Sequence, residues 1–434
     1  MAALAFVSTR GSAKPVPLST AIQQGLAPDG GLYMPTDLPP LDVNSLTGLA
    51  LPELARIALS GFFVGDRLQP QLESIVDSAF NFPAPTTVVG GCSDPLFALE
   101  LYHGPTAAFK DFGARFLSAC LQGLGEFSAA KPLTILVATS GDTGGAVAAA
   151  FYRRLGMRVV ILYPQGLVSP RQEQQLTCWG ENVVSLRVAG TFDDCQRLVK
   201  EALVDPNLSQ QHRFSSANSI NIGRLLPQMM YYMSASLKVL RSTGLPASFI
   251  VPAGNLGNAF AALWARALGL PIGRIILAHN ANRTVPEYLQ TGVWHPRPSI
   301  CTLASAMDVG NPSNMERIRS LYPEIGLLRE QITASSVDDA TIRLRIREDF
   351  MKYGREWCPH TATAAEVYAL LPVPERQNPW VLVSTAHPAK FNDIVEPILG
   401  KTIAVPECLE RLLHLPQQVS DIPATLQALI HAIA

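Results

Sequence analysis

The sequence predicts an α/β protein made of parallel-sheet domains with an additional N-terminal domain in front of them. Three observations carry this. From about Pro132, short aliphatic runs alternate with helical stretches; after a polar interval from Ser209 to Asn221 the alternation resumes; and roughly the first 80 residues lack it, their apolar patches being broken by proline and glycine.

Taken in order, APDGGLYMP, DLPPL and the proline-bearing NFPAPTT read as an N-terminal domain and its linker. LTILVAT, GGAVAAAFYRRLG, RVVILYP, RQEQQLTCWG, VVSLRV and DDCQRLVKEAL then alternate strand and helix. The strands are near-continuously apolar, as expected where helices cover both faces of a parallel sheet. A helix is expected from about Arg224 to Leu240, followed by the strand SFIVPA, the helix AFAALWARALG and the strand RIILAHN. WVLVSTAHPAKF adds a late strand that leads into a further helix. Between Asn311 and Arg376 the helical patches VDDATIRLRIREDFMKYG and AAEVYALL carry no functional signal, and no internal repeat or low-complexity tract is found.

A chain of 434 residues exceeds what one core usually supports, so two or three domains are expected. Hydrophobic residues are 48% and charged residues 16%, far from the composition of a disordered chain. A formal net charge of -1 gives no electrostatic case for nucleic acid or an anionic membrane, which leaves small molecules as partners. The seven cysteines are odd in number and scattered, without the paired spacing of a zinc or redox site, so no metal is expected and a reducing cytoplasm is the simplest setting. Met1 to Val7 is apolar but too short for a signal sequence, and no segment approaches the ~20 apolar residues that span a bilayer. The expectation is a soluble, cytoplasmic protein.

Five segments carry chemistry. In ATSGDTGGAVAAAF, residues 138–151, a strand runs into a turn that opens a helix, where backbone N–H groups lacking intrahelical partners favour an anion. Ser140, Asp142 and Thr143 add side-chain hydrogen bonds; an ordinary N-cap would look the same. In VPAGNLGNAFAAL, residues 251–263, the loop from Gly254 to Asn258 permits consecutive amides to converge on one phosphate, though it is neither a Walker loop nor a dinucleotide fingerprint. In HGPTAAFKDFGARFL, residues 103–117, a single lysine sits among phenylalanines, where lost solvation disfavours its ammonium form and frees the amine for Schiff-base chemistry. Lys110 could instead reach water or pair with Asp111, and His103 reads more readily as a structural histidine. SSANSINIGRLLPQ, residues 215–228, places Arg224 to clamp a phosphate, with Asn218 and Ser219 donating beside it. VSTAHPAKF, residues 383–391, is a strand end of the kind where open α/β sheets place ligands.

Together, GPTAAFKDFG, ATSGDTGGAV, SANSIN with the following arginine, PAGNLGN and STAHPAKF stand in the order seen in threonine synthases. The opening VSTRG followed by GLAPDGGLYMP resembles the N-terminal segment of that family. The resemblance covers nearly the whole chain, and five motifs in one register are far more specific than any one of them. It implies a tryptophan synthase β-like fold, that of the fold-type-II pyridoxal-phosphate enzymes.

The resemblance implies Lys110 as the Schiff-base lysine, and Gly254, Asn255, Leu256, Gly257 and Asn258 as the cup for the cofactor phosphate. It puts the Thr385 hydroxyl against the pyridine nitrogen, a gentler electron sink than a carboxylate would give. Ser140, Asp142 and Thr143 fall near the substrate carboxylate and the cofactor 3-hydroxyl, and Asn218, Ser219 and Arg224 at the substrate phosphate. The domains implied are 1–92, an N-terminal domain; 93–130 with 215–434, a large cofactor-binding domain; and 131–214, a smaller mobile substrate-binding domain. Two positions depart from the usual pattern. Leu256 replaces phenylalanine in the glycine loop, and Asp142 stands where many fold-type-II relatives carry asparagine, so its carboxylate needs a nearby donor or a raised pKa. The activity implied is conversion of O-phospho-L-homoserine and water to L-threonine and phosphate, by a monomer or homodimer. The alternatives are a same-fold phospho-lyase or a serine/threonine dehydratase giving a 2-oxo acid, and a catalytically silent homologue serving as a binding protein.

Overall fold

Two parallel sheets and one small antiparallel sheet organise the chain in the computed structural model, which describes residues 3–91, 94–125, 127–128 and 132–433. Cys92 and the boundaries expected at 92/93 and 130/131 lie outside the described residues. The antiparallel sheet orders Val16–Pro17, Ala5–Ser8 and Tyr33–Pro35, and belongs to the N-terminal segment.

The larger sheet runs in the order Ile332–Ser336, Ile272–His279, Ala247–Pro252, Trp380–Ser384, Leu96–Glu100 and Thr86–Val88. All its pairings are parallel except that of Thr86–Val88. Alternate side chains enter different cores: Phe249, Val251, Val381 and Val383 enter one, Ile250, Trp380 and Leu382 another. Covering both faces in this way is what demands continuous apolar runs in the sequence.

The second sheet orders Ser420–Pro423, Val183–Ala189, Met157–Pro164, Leu133–Ala138 and Arg213–Ser216, all parallel. Its edge strand Ser420–Pro423 comes from the far end of the chain, whereas the domain division expected from the sequence groups that end with the larger sheet. Leu429 and Ile433 of the helix that follows join Cys195, Leu198 and Ala202 in a core on one face of this sheet.

The single helix expected from Arg224 to Leu240 is two helices, Ile222–Leu225 and Gln228–Thr243, separated at Pro227, whose missing N–H cannot continue the ladder. Among the described residues, no helix is long and apolar enough to cross a membrane.

Candidate active site

The placement of Lys110 follows from two neighbouring central strands. Trp380–Ser384 pairs with Leu96–Glu100, and beyond their ends the two chain segments touch once more at an antiparallel bridge between Ala108 and Ala386. Phe109 N donates to Thr385 O at 2.8 Å and His387 N to Ala107 O at 3.0 Å, so Lys110, the first residue of the helix Lys110–Leu124, is fixed beside Thr385. Its Nζ donates to Thr143 Oγ1 at 2.7 Å. Asp111 turns away, accepting from Thr106 N at 2.9 Å and Thr106 Oγ1 at 2.7 Å, so Lys110 and Asp111 are not partners. His103 pairs with Glu100 at 3.0 Å and does not line the cavity that holds Lys110.

That cavity gathers every site residue expected from the motifs: Lys110, Ser140, Asp142, Thr143, Asn218, Ser219, Arg224, the loop from Gly254 to Asn258, and Thr385. It shares Ala138, Gln196, Asn218 and Asn255 with a wider cleft of about 690 Å³ that extends to Thr9 and Arg10 of the N-terminal segment.

The glycine loop has a backbone that ordinary residues avoid. Leu256 lies in the left-handed region, at φ 63°, and the helix Gly257–Ala267 starts immediately after it. A Cβ on Gly254 would meet Met307 Cα at 2.8 Å and Ala306 O at 3.0 Å, so the loop can run past Met307 only as glycine. Asn255 is held on both sides: its Nδ2 donates to Ser219 Oγ at 2.9 Å, and its Oδ1 accepts from Ser313 N at 2.6 Å. Asn258 Oδ1 accepts from the hydroxyls of Tyr231 and Tyr232 at 2.6 and 2.9 Å, which leaves its buried Nδ2 without a partner. Buried amide donors ordinarily find acceptors. A phosphorylated ring fits these residues: helix N–H groups, the Asn258 amide and the Thr385 hydroxyl offer donors around a lysine amine.

Asp142 opens the helix Asp142–Phe151 at the cavity wall. Burial opposes its charge, but Lys390 at 2.8 Å, and then Lys110, hold its carboxyl well below the usual range. Gln172 Nε2 donates to the same Oδ1 at 2.9 Å. The donor that the sequence required for this aspartate is therefore Lys390, with Gln172 beside it.

Arg224 is 3% exposed, and its guanidinium reaches no carboxylate at ion-pair distance among the described residues. It donates to Ala217 O and, at 3.5 Å, to Lys110 O; Nε has no partner. Burial lowers its pKa to about 10. Two of its five donors are thus engaged, both by neutral carbonyls, which leaves a buried cation able to take an anion. Arg317, equally buried, differs in that its three nitrogens all donate, to Tyr33 O, Ser219 O, Asn314 Oδ1 and Ile220 O. Of the residues expected at a substrate phosphate, Asn218 gives Nδ2 to Ala138 O at 2.9 Å, and Ser219 Oγ accepts from Asn255 and Asn314 while keeping its own proton to donate.

Gly113 makes room for Arg224. A Cβ there would lie 2.7 Å from Arg224 O and 2.8 Å from Nε. Gly113→Ala is therefore expected to destabilise the fold by about 1–3 kcal/mol, despite the better helix propensity of alanine, and to lower turnover by displacing Arg224. Thermal unfolding together with steady-state rates checks both effects.

Sequence reasoning missed His360, Gln172, Lys390, Asn314 and Arg317. His360 lines the cavity, accepts from Ala306 N at 3.1 Å and is driven down to about 4 by burial, so it is neutral there. A lone histidine just after the proline of an otherwise small-residue helix was the available signal, and Lys390 stood unassigned inside STAHPAKF.

Burial, opposed by Asp142 and assisted by Arg224 and Lys390, lowers the Lys110 pKa to about 8. The amine is nucleophilic only when unprotonated, so uptake of pyridoxal phosphate by the cofactor-free protein should accelerate as pH rises and level off just above 8. An unperturbed lysine would keep accelerating to about 10. Stopped-flow absorbance across neutral and alkaline pH distinguishes the two.

The chain matches known families over most of its length. Residues 88–385 match the family described as pyridoxal-phosphate dependent enzyme, 5–80 the threonine synthase N terminus, and 361–433 the threonine synthase C-terminal region. It is 41% identical over 420 residues to the threonine synthase of Escherichia coli strain K12, covering 95% of each chain. The crystal structure of threonine synthase from Escherichia coli superposes with a TM-score of 0.90 at 39% identity, over 99% of both chains. The pyridoxal-phosphate-bound threonine synthase from Brucella melitensis gives a TM-score of 0.88 at 32% identity, again over 99% of both. The fold-type-II architecture expected from the motifs is thus the observed one, and the chain belongs to the threonine synthase family of pyridoxal-phosphate-dependent enzymes.

Proposed function

We propose that this protein converts O-phospho-L-homoserine and water to L-threonine and inorganic phosphate, working in the cytoplasm as a monomer or homodimer. The observation that carries the reading is Arg224: a buried guanidinium without a carboxylate partner among the described residues, in one cavity with Lys110 and the glycine loop. A substrate bearing a dianionic leaving group supplies the charge that this cation lacks.

Pyridoxal phosphate, when bound, supplies the electron sink that makes hydrogens next to the substrate nitrogen acidic. Gly254 to Asn258 would hold its phosphate, Thr385 would face its ring nitrogen, and Asp142 its 3-hydroxyl. Lys110 is the residue that would carry it covalently, and its Nζ, donating to Thr143 Oγ1 at 2.7 Å, is the group placed to take and return protons at substrate Cα and Cβ. Ser140, with Thr143, offers hydroxyls to the substrate carboxylate at the start of the helix Asp142–Phe151. Arg224, with Ser219 and Asn218 beside it, stabilises the departing phosphate. The segment 131–214, drawn from the sequence as the smaller, mobile substrate-binding unit, brings Ser140, Asp142, Thr143 and Phe192 to the cavity wall, and the sheet it builds also takes in the strand Ser420–Pro423.

Product analysis tests the reading. Protein supplied with pyridoxal phosphate and O-phosphohomoserine should release phosphate and threonine in equal amounts. Release of phosphate with a 2-oxo acid in place of threonine would refute it.

A further inference from the structure

Lys390 is fully buried, lies outside the cavity lining, and joins three of the segments that build the site. Its Nζ lies 2.8 Å from Asp142 Oδ1 and donates at 2.8 Å to Thr106 O, in the loop leading to Lys110. Its backbone is anchored in turn: Ser169 Oγ donates to Lys390 O at 2.9 Å and Arg171 Nη1 to Ala389 O at 2.6 Å. Gln172, in the same helix Pro170–Thr177 as Arg171, completes the cage by donating to Asp142 Oδ1. Both donors thus fall on one carboxylate oxygen of Asp142, fixing its rotation at the cavity wall.

We propose that Lys390 is a positioning residue, which acts on the reaction only through Asp142 by fixing the orientation of that carboxylate toward the bound cofactor and substrate. The inference rests on the functional reading above. Lys390 does not line the cavity that would hold cofactor and substrate. It neutralises a carboxylate that is 4% exposed and would otherwise be a buried anion pulled toward Lys110 or Arg224. Turning that charge from its place by even an ångström slows the reaction far more than the size of the movement suggests.

A merely structural lysine and a positioning lysine differ in how they combine with a change at Asp142. With cofactor saturating and temperature held well below unfolding, Lys390→Met should lower kcat by about 100-fold and weaken cofactor binding, followed by absorbance titration. Asp142→Asn, whose amide oxygen still accepts from Lys390 but leaves that buried cation without a counter-charge, should lower kcat by about tenfold and also lower thermal stability. The double variant Lys390→Met/Asp142→Asn should lie within about threefold of Asp142→Asn alone, since Lys390 then has no carboxylate left to position. Equal losses from Lys390→Met in both backgrounds, or a loss under threefold in the native background, would overturn the proposal. Should Lys390→Met fail to fold, the comparison of the double variant with Asp142→Asn decides: the double should fold, because neither member of the buried ion pair is left without its partner, and its failure to fold or a far lower rate counts against the proposal. A native protein that binds no pyridoxal phosphate would defeat the functional reading itself. An active, cofactor-loaded native protein whose Lys390 variants behave otherwise defeats this inference alone.

Discussion

Lys110→Ala is expected to abolish the visible absorbance of covalently held cofactor and to lower turnover by about 10⁴-fold or more. The size follows from two losses at one atom. Nζ is the amine that would carry pyridoxal phosphate, and it is also the amine of the cavity lining left to move protons, since His360 accepts from Ala306 N and Lys390, off the cavity lining, is paired with Asp142. Cofactor should still bind, because the glycine loop, Asn258 and Thr385 are unchanged. Dialysis of the variant should therefore strip cofactor that the native protein retains. A variant that keeps both absorbance and turnover would remove Lys110 from the chemistry.

Arg224→Met should have the second largest effect. It leaves the helix Ile222–Leu225 and the packing over Gly113 essentially filled, but takes away the buried cation and its unspent donors. Loss of a donor that stabilises developing charge costs about 10²–10³ in kcat. Cofactor absorbance should persist, because Lys110, the glycine loop and Thr385 all remain in place. Lysine is a poor substitute, since it offers a point charge where a planar fork spans Ala217 O and the cavity. Rates with O-phosphohomoserine measure the loss. An Arg224→Met protein with near-native kcat would mean that the leaving group is held elsewhere.

How legible these features were in the sequence depended on how local their causes are. The strands Leu133–Ala138, Met157–Pro164, Ala247–Pro252 and Trp380–Ser384 announced themselves because each is buried on both faces. The motifs at strand ends were legible for a related reason, since glycine and small polar residues are needed where backbone approaches a ligand, as at Gly254. Leu96–Glu100 passed unread: five residues ending in a glutamate resemble many other short runs, and its place is set by a partner strand from the far end of the chain. The same holds for Ser420–Pro423, a short edge strand with two polar residues. Pro227 marks within the sequence itself the point where the helix expected over 224–240 divides. The Lys390–Asp142 pair was not visible at all, because nothing within either motif specifies the other. Likewise Arg317 reaches Ser219 and Tyr33 only through folding, and one arginine in a short run of charged residues gives no sign that it is buried.

The most direct test of the account is to fix the cofactor where it sits. Borohydride reduction of the pyridoxal-phosphate-loaded protein, followed by digestion and mass spectrometry, should place the pyridoxyl group on the peptide containing Lys110. Attachment to the fully buried Lys390, or to any other amine, would contradict it.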